Sequence, residues 1–533
     1  LDNETTFLEE TMVRPKSRIL FVLLLLIIIV IGVILMVKSP GIFKSKKDFF
    51  SQDELVQDTQ QLIELIERTH PDPYLSGGGK IAFYRNYQEI LGAIPEAGLG
   101  RNDYARFLRP LVASINDGHT LLENAYTVDK LYPGGVPLLF NIVGDSLYVA
   151  GVAGEENKEL IGSLLLSVEG IPLSELVERQ KQWQGVENTY HALSFLSSQS
   201  LLYAPYMEDI LPEWENTQQV TVELQLPSGD IQEITFALPV SAQTLYMPES
   251  QIHLPSLGGS NFISDFLDEE KQIAYLRIDY MQGYREMYER RNDSKAENYP
   301  SATELFTKLV SDMEEADTDM LIVDLRSCEG GNSAIADILM YFLYGKDTLQ
   351  YVKSASFAAG GGSILKTPPS SKKMAYDFTW DFSDDPNKYQ VLLPQVPAFL
   401  EEFAKEMPTF YEEYKTGTYE AFYLPDRVVV LVSPKTFSSG FIMARYFYLL
   451  DVPLIGTPSG QAINWYCDPI FVSLDNTEIQ VVISTSYCMH LIPGEPELTE
   501  YLPVQYPLTY EILKSYSFDP NSEVLYVLDL LNE

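Results

Sequence analysis

The chain has 533 residues, with 37 Lys and Arg against 75 Asp and Glu, giving a net charge of −38. That length calls for two or three domains, and 46% hydrophobic against 21% charged residues leaves enough apolar material to fold most of it. The charge excludes a protein built to grip a polyphosphate backbone, which needs clustered Lys and Arg, and reads as a solvated acidic surface.

Residues 19–37 form an unbroken apolar run without a charge. It is long enough to cross a bilayer as a helix and lacks the polar stripe of a buried soluble helix. The expectation is a short tail (1–18), a single uncleaved transmembrane helix (19–37) and a juxtamembrane linker (38–50). Lys and Arg flank both sides, so the charge rule does not fix the orientation.

A helical region (51–128) follows. Leu55, Val56, Leu62, Ile63 and Ile66 recur at helical spacing, and Pro71 and Pro73 end that helix. A second helix is predicted near 80–92. A third is predicted after Asn102 as N-cap, closing at Asn116-Asp117-Gly118, which leaves His119 just past a helix end. From 129 to 245 the pattern becomes short strands, with a hairpin signal at Ser228-Gly229-Asp230. This middle module is small and β-rich, either a PDZ-like peptide groove or a spacer. From 260 to 533, apolar β-branched runs at 273–278, 320–325 and 428–432 alternate with helical stretches at 334–343 and 441–450, the pattern of an α/β domain.

The three cysteines, Cys328, Cys467 and Cys488, form no C-x-x-C pair and no disulfide framework. Cys328 and Cys467 read as small buried hydrophobes. The five histidines form no H-E-x-x-H, and no two lie within one helical turn. No metal and no cofactor is expected.

Three segments could carry chemistry. The strand 428–432 runs through Ser433-Pro434-Lys435-Thr436-Phe437-Ser438-Ser439-Gly440 into a helix. Such a turn can present a hydroxyl at the strand's end beside free N–H groups, or merely cap the helix. The strand 320–325 ends in Asp324-Leu325-Arg326, and Gly330 and Gly331 follow; their N–H groups could face a developing negative charge. His119 could act as a general base.

Taken together and in order, Asn116-Asp117-Gly118-His119-Thr120, Asp324-Leu325-Arg326 with Gly330-Gly331, Thr436-Phe437-Ser438-Ser439-Gly440 and Gly456-Thr457-Pro458-Ser459-Gly460 resemble the S41 peptidase family, the relatives of the C-terminal processing (tail-specific) proteases. Thr69-His70-Pro71-Asp72-Pro73-Tyr74 adds a weaker echo. The resemblance spans about 55–125 and 260–510 and implies a ClpP/crotonase-like catalytic domain. It implies Ser438 as nucleophile. The Ser-Lys branch would need a lysine soon after it, but none occurs between Ser438 and Lys514, and the loop reads Pro458-Ser459-Gly460-Gln461. The resemblance is therefore to the tricorn-like Ser-His branch, with His119 as base, Gly330, Gly331 and Ser439 at the oxyanion, and an orienting carboxylate among Glu495, Glu497 and Glu500.

The expected function is a membrane-anchored serine endopeptidase at the cell surface. It would act on protein or peptide substrates, with its catalytic domain extracytoplasmic. The alternative is an inactive member of the same fold that binds peptides or apolar ligands.

Overall fold

The computed structural model describes residues 47–122, 134–214, 218–238, 245–359, 361–366, 389–392, 396–417 and 421–530. The expected tail and transmembrane helix lie outside the described residues. Among the described residues no helix is long and apolar enough to cross a membrane.

Three helices open the described chain: Gln52–Thr69, Gly79–Ala93 and Arg101–Ala113. The first starts from a reciprocal capping box between Ser51 and Glu54 and ends before the prolines, as its sequence requires. The third starts two residues earlier than expected, with Gly100 rather than Asn102 at the N-cap. The reason is a two-residue ladder pairing Phe49–Phe50 with Leu99–Gly100, from which the helix departs directly. That helix ends at Ala113, and the left-handed residue after it is Asn116 (φ 56°), not Gly118.

The catalytic-type core is a six-stranded sheet in the order Phe262–Phe266, Ile273–Ile278, Met320–Asp324, Arg427–Val432, Leu454–Gly456, Tyr506–Pro507. The first pair is antiparallel and the rest are parallel. Helices cover it, notably Ala302–Ala316, Ala334–Ala358 and Ser439–Tyr448. The second of these is longer than predicted because it continues past a kink at Gly345, whose φ of 78° no helix contains. Fully buried Leu276, Val323, Val430, Phe441 and Phe447 fill the layer between sheet and helices, each contributing about 1.5–3 kcal/mol.

The segment 138–246 builds its own seven-stranded antiparallel sheet, including the hairpin Gln219–Gln225/Ile231–Ala237 turned at Gly229. Helices Leu173–Trp183, Thr189–Phe195 and Ala204–Ile210 pack on that sheet.

What positions His119 is a long hairpin, Asn464–Ser473 with Gln480–Met489. Its apolar face (Ile470, Val481, Ile483) joins Leu55, Leu62, Ile66 and Leu108 of the N-terminal helices in one buried cluster. Leu121–Leu122 then pairs with Val481 and Val482 as a further strand. The loop before it, 116–120, is thereby fastened to the catalytic-type domain.

Candidate active site

The strand Arg427–Val432 leads into a turn held against the neighbouring loop. Thr436 Oγ1 donates to the Leu325 carbonyl (2.8 Å) and Ser433 Oγ to the Arg326 carbonyl (2.5 Å), while the Phe437 N–H reaches the Cys328 carbonyl (3.0 Å). Ser438 stands at the N-cap of the helix Ser439–Tyr448 with φ 52° and ψ −122°, and its side chain makes no capping hydrogen bond. The turn therefore does not use this hydroxyl as a cap. Such a conformation costs a non-glycine residue roughly 1–3 kcal/mol, which the surrounding bonds must offset. Its own N–H donates to Gln461 Oε1 (2.9 Å), and the fully buried Gln461 keeps its Nε2 without a hydrogen-bond partner. Gln461 was visible in the sequence only as the residue found where a lysine was sought.

Asp324 and Arg326 serve the scaffold. Asp324 accepts from Arg326 (2.7 Å) and Tyr275 (2.6 Å), and Arg326 also pairs with Glu523 (2.8 Å). Burial would raise the Asp324 carboxyl, but the Arg326 charge holds it below the usual range. Beyond this clamp the loop brings Gly330 (φ 109°) and Gly331 (φ 128°) against the serine turn. A methyl group on Gly330 would lie 2.6 Å from Ser438 Cβ and 3.0 Å from both Phe437 O and Ser439 N. Glycine at 330 is thus a condition of the approach. Ser439 Oγ donates to the Gly331 carbonyl (3.0 Å), tying the two segments together.

His119 enters from the other side. Its ring stacks on Phe437, the residue before Ser438 (centroids 5.0 Å apart, 24°), and leans on Trp465 at 5.1 Å. Asp117 is the anchor beneath it. This fully buried carboxylate accepts from the His119 N–H (2.8 Å), Thr120 Oγ1 (2.5 Å), Ser484 Oγ (2.7 Å) and His70 Nε2 (3.2 Å). Burial alone would raise it, but His70 foremost, with His119 and the Thr120 hydroxyl, holds it at about 2.

The carboxylate facing His119 is Glu187, whose Oε1 lies 3.9 Å from Nδ1 and accepts the Gly118 N–H at 3.0 Å. Burial pushes the Glu187 carboxyl above its ordinary range. It comes from the segment between helices Leu173–Trp183 and Thr189–Phe195, which no sequence signal had singled out. The expected acidic cluster lies elsewhere. Glu495 accepts from Tyr448 (2.8 Å), the Glu497 side chain is exposed, and Glu500 is exposed and meets the Glu187 segment only through its backbone carbonyl, bonded to Asn188.

His191 packs between Phe195 and Phe437 (4.7 and 4.5 Å), takes the Glu187 N–H on Nδ1 (3.3 Å), and burial pushes its imidazole down to about 3. Gly118 fits because a methyl there would lie within 2.8–3.2 Å of His191, Phe437 and Glu187. Ligand-type atoms of Asp117, His119 and Glu187 fall within 4.8 Å of one another, so among the described residues this trio has the spacing to hold a cation. The Asp117 oxygens and Glu187 Oε1 are already engaged as acceptors. Cys467 also departs from expectation: it is hydrogen-bonded to Ser486 and Cys488 rather than set among apolar groups alone.

An α/β core that presents a strained serine at a strand-to-helix turn, with a glycine loop and a histidine packed against that turn, is an arrangement suited to hydrolysis of the serine type. Residues 272–466 match the model of peptidase family S41. That stretch, which contains both the glycine loop and the serine turn, is thus similar to the serine-type peptidases of the family. Two solved structures share the fold. Mature CPAF complexed with lactacystin is 14% identical, with 90% of this chain and 99% of that chain covered and a TM-score of 0.51. Mature CPAF alone is 15% identical, with 88% and 96% covered and the same TM-score of 0.51. No curated protein matches the chain significantly.

Proposed function

We propose that the protein is an endopeptidase working by Ser438–His119 acyl transfer, with Glu187 as the group that orients the histidine. The observation that supports this reading is the stacking of His119 on Phe437, the residue before an uncapped, strained Ser438. With Nδ1 turned toward Glu187, Nε2 is the nitrogen available to the serine. It takes the hydroxyl proton as Oγ attacks the peptide carbonyl, then returns that proton to the leaving amine. N–H groups of Gly330, Gly331 and Ser439 hold the oxyanion, and water then releases the acyl group. Ser438 spends its own N–H on Gln461.

The substrates of this reading are unfolded proteins or peptides. The apolar run at 19–37 supports a single-pass anchor at the cell membrane with the catalytic domain outside the cytoplasm. Incubating the full chain and its Ser438→Ala variant with unfolded protein tests the chemistry: cleavage is expected from the first and not the second, and equal cleavage would remove Ser438 from the mechanism. Alkaline extraction of membranes and protease shaving of intact cells test the anchor and its orientation.

A further inference from the structure

The hairpin that carries Trp465 also carries two of the three thiols. In its register Trp465 stands opposite Cys488, and Cys467 opposite Ser486. Cys467 and Cys488 are therefore diagonal neighbours on one face of the sheet, where they cluster with Trp465. Their Sγ atoms are 3.0 Å apart, only about 1 Å longer than a covalent S–S bond of roughly 2.05 Å. The surroundings are polar. Ser486 Oγ lies 2.9 Å from Cys467 Sγ, Ser363 Oγ donates to Cys488 Sγ at 3.5 Å, and Asp468 Oδ2 accepts from Ser486 at 2.6 Å.

We propose that Cys467 and Cys488 are a peroxide-reactive dithiol that closes to a disulfide in the wall of the active site. The donation of Cys467 to Cys488, with Ser363 and His490 adding to it, favours the Cys488 thiolate against its burial, and the thiolate is the nucleophile. It attacks one peroxide oxygen; the O–O bond breaks, leaving a sulfenic acid and hydroxide. The Cys467 sulfur then attacks the Cys488 sulfur, the S–O bond breaks, and the two oxygens leave as two waters with the thiol protons. Both sulfurs are oxidised and hydrogen peroxide is reduced. Both residues keep a small opening to solvent, 8% and 9% exposed, whereas Cys328 is sealed at 0% with its thiol pushed up to about 12 by burial. Cys328 is the internal control.

Closing the gap pulls on the strand position opposite Trp465, whose ring supports His119. The effect on activity rests on the Ser438–His119 reading; the disulfide itself does not. The experiment treats the full chain with hydrogen peroxide, blocks thiols under denaturing conditions, and maps peptides by mass spectrometry. Three blocked thiols should fall to one, Cys328, with a 467–488 crosslink reversed by dithiothreitol. The Cys467→Ser variant should instead trap a sulfenic acid at Cys488. Three persisting thiols, or higher oxides without the crosslink, would overturn the proposal even if the variant failed to fold. Fluorophosphonate labelling at Ser438 should drop several-fold on oxidation and recover on reduction. A crosslink with unchanged labelling would overturn the coupling to His119, and absent labelling in the reduced protein would count against the peptidase mechanism while leaving the disulfide to be judged by its mass.

Discussion

Replacing Gly330 with alanine tests whether the glycine loop and the nucleophile turn are one device. The new Cβ would stand 2.6 Å from Ser438 Cβ, with Phe437 O and Ser439 N at 3.0 Å. None of these three atoms is the free end of a flexible chain, so the overlap must be relieved by moving the turn or the loop by about 1 Å to reach ordinary packing distance. The φ of 109° adds strain of roughly 1–3 kcal/mol for a residue with a side chain. That is survivable against a typical stability of about 5–15 kcal/mol. Misplacing a nucleophile by about 1 Å costs on the order of 100-fold in turnover. The expected result is a folded Gly330→Ala protein with kcat reduced about 100-fold and KM changed little, since substrate grip elsewhere is untouched. Gly162→Ala is the matched control. It is also left-handed (φ 83°) and would strike the Phe518 ring, which packs in a different cluster away from the site. It should lose stability and keep its turnover per folded molecule. A Gly330→Ala protein that is folded, labels with a fluorophosphonate and cleaves at the parent rate would refute the argument that this loop sets the serine's position.

Three further outcomes follow from the same geometry. Glu187→Gln should lower kcat by roughly 10–100-fold with KM nearly unchanged, and Glu187→Asp should recover part of the loss; an unaffected kcat would return the orienting role to another group. Asp117→Asn removes a charge that four donors share. It should cost about 2–4 kcal/mol in denaturant unfolding, and a change under 1 kcal/mol would mean those bonds are not the anchor. His191, held neutral with its folded value at about 3, binds a proton more readily when unfolded. Its contribution to stability should therefore fall as pH drops from about 6.5 toward 3, by up to ~1.4 kcal/mol per pH unit. His191→Gln should flatten that part of the stability–pH curve, and an unchanged slope would assign the acid sensitivity elsewhere.

Several parts of the fold were legible for a simple reason: they are locally determined. The runs at 273–278, 320–325 and 428–432 are apolar on both faces because each strand is covered on both sides, and they became adjacent parallel strands. Pro71 and Pro73 bounded the first helix at its end by the missing proline N–H. The start of the third helix was misread because a tertiary pairing, Phe49–Phe50 with Leu99–Gly100, outranked the local preference of Asn102.

The site divides along the same line. Ser438, His119, Gly330 and Gly331 could be singled out because each sits in a turn whose small residues leave a trace in the sequence. Glu187 leaves none of that kind: its burial arises only after the 185–191 segment folds over the Asp117–Gly118 loop, where Gly185 and Gly118 permit contacts that a methyl group would block. The acidic cluster at Glu495, Glu497 and Glu500 was the candidate because the family resemblance implied a glutamate there, yet a run of carboxylates marks solvated surface more often than a working pair. A carboxylate that orients a histidine must be removed from water to hold its charge effective, so it belongs among apolar and small neighbours, where single-sequence reading sees only an unremarked Glu in a loop. If Glu187 orients His119, the middle module supplies part of the catalytic apparatus, and loosening its packing against the 116–120 loop, for example with Gly185→Ala (2.4 Å from the Asp117 carbonyl), should depress turnover without touching a reacting atom.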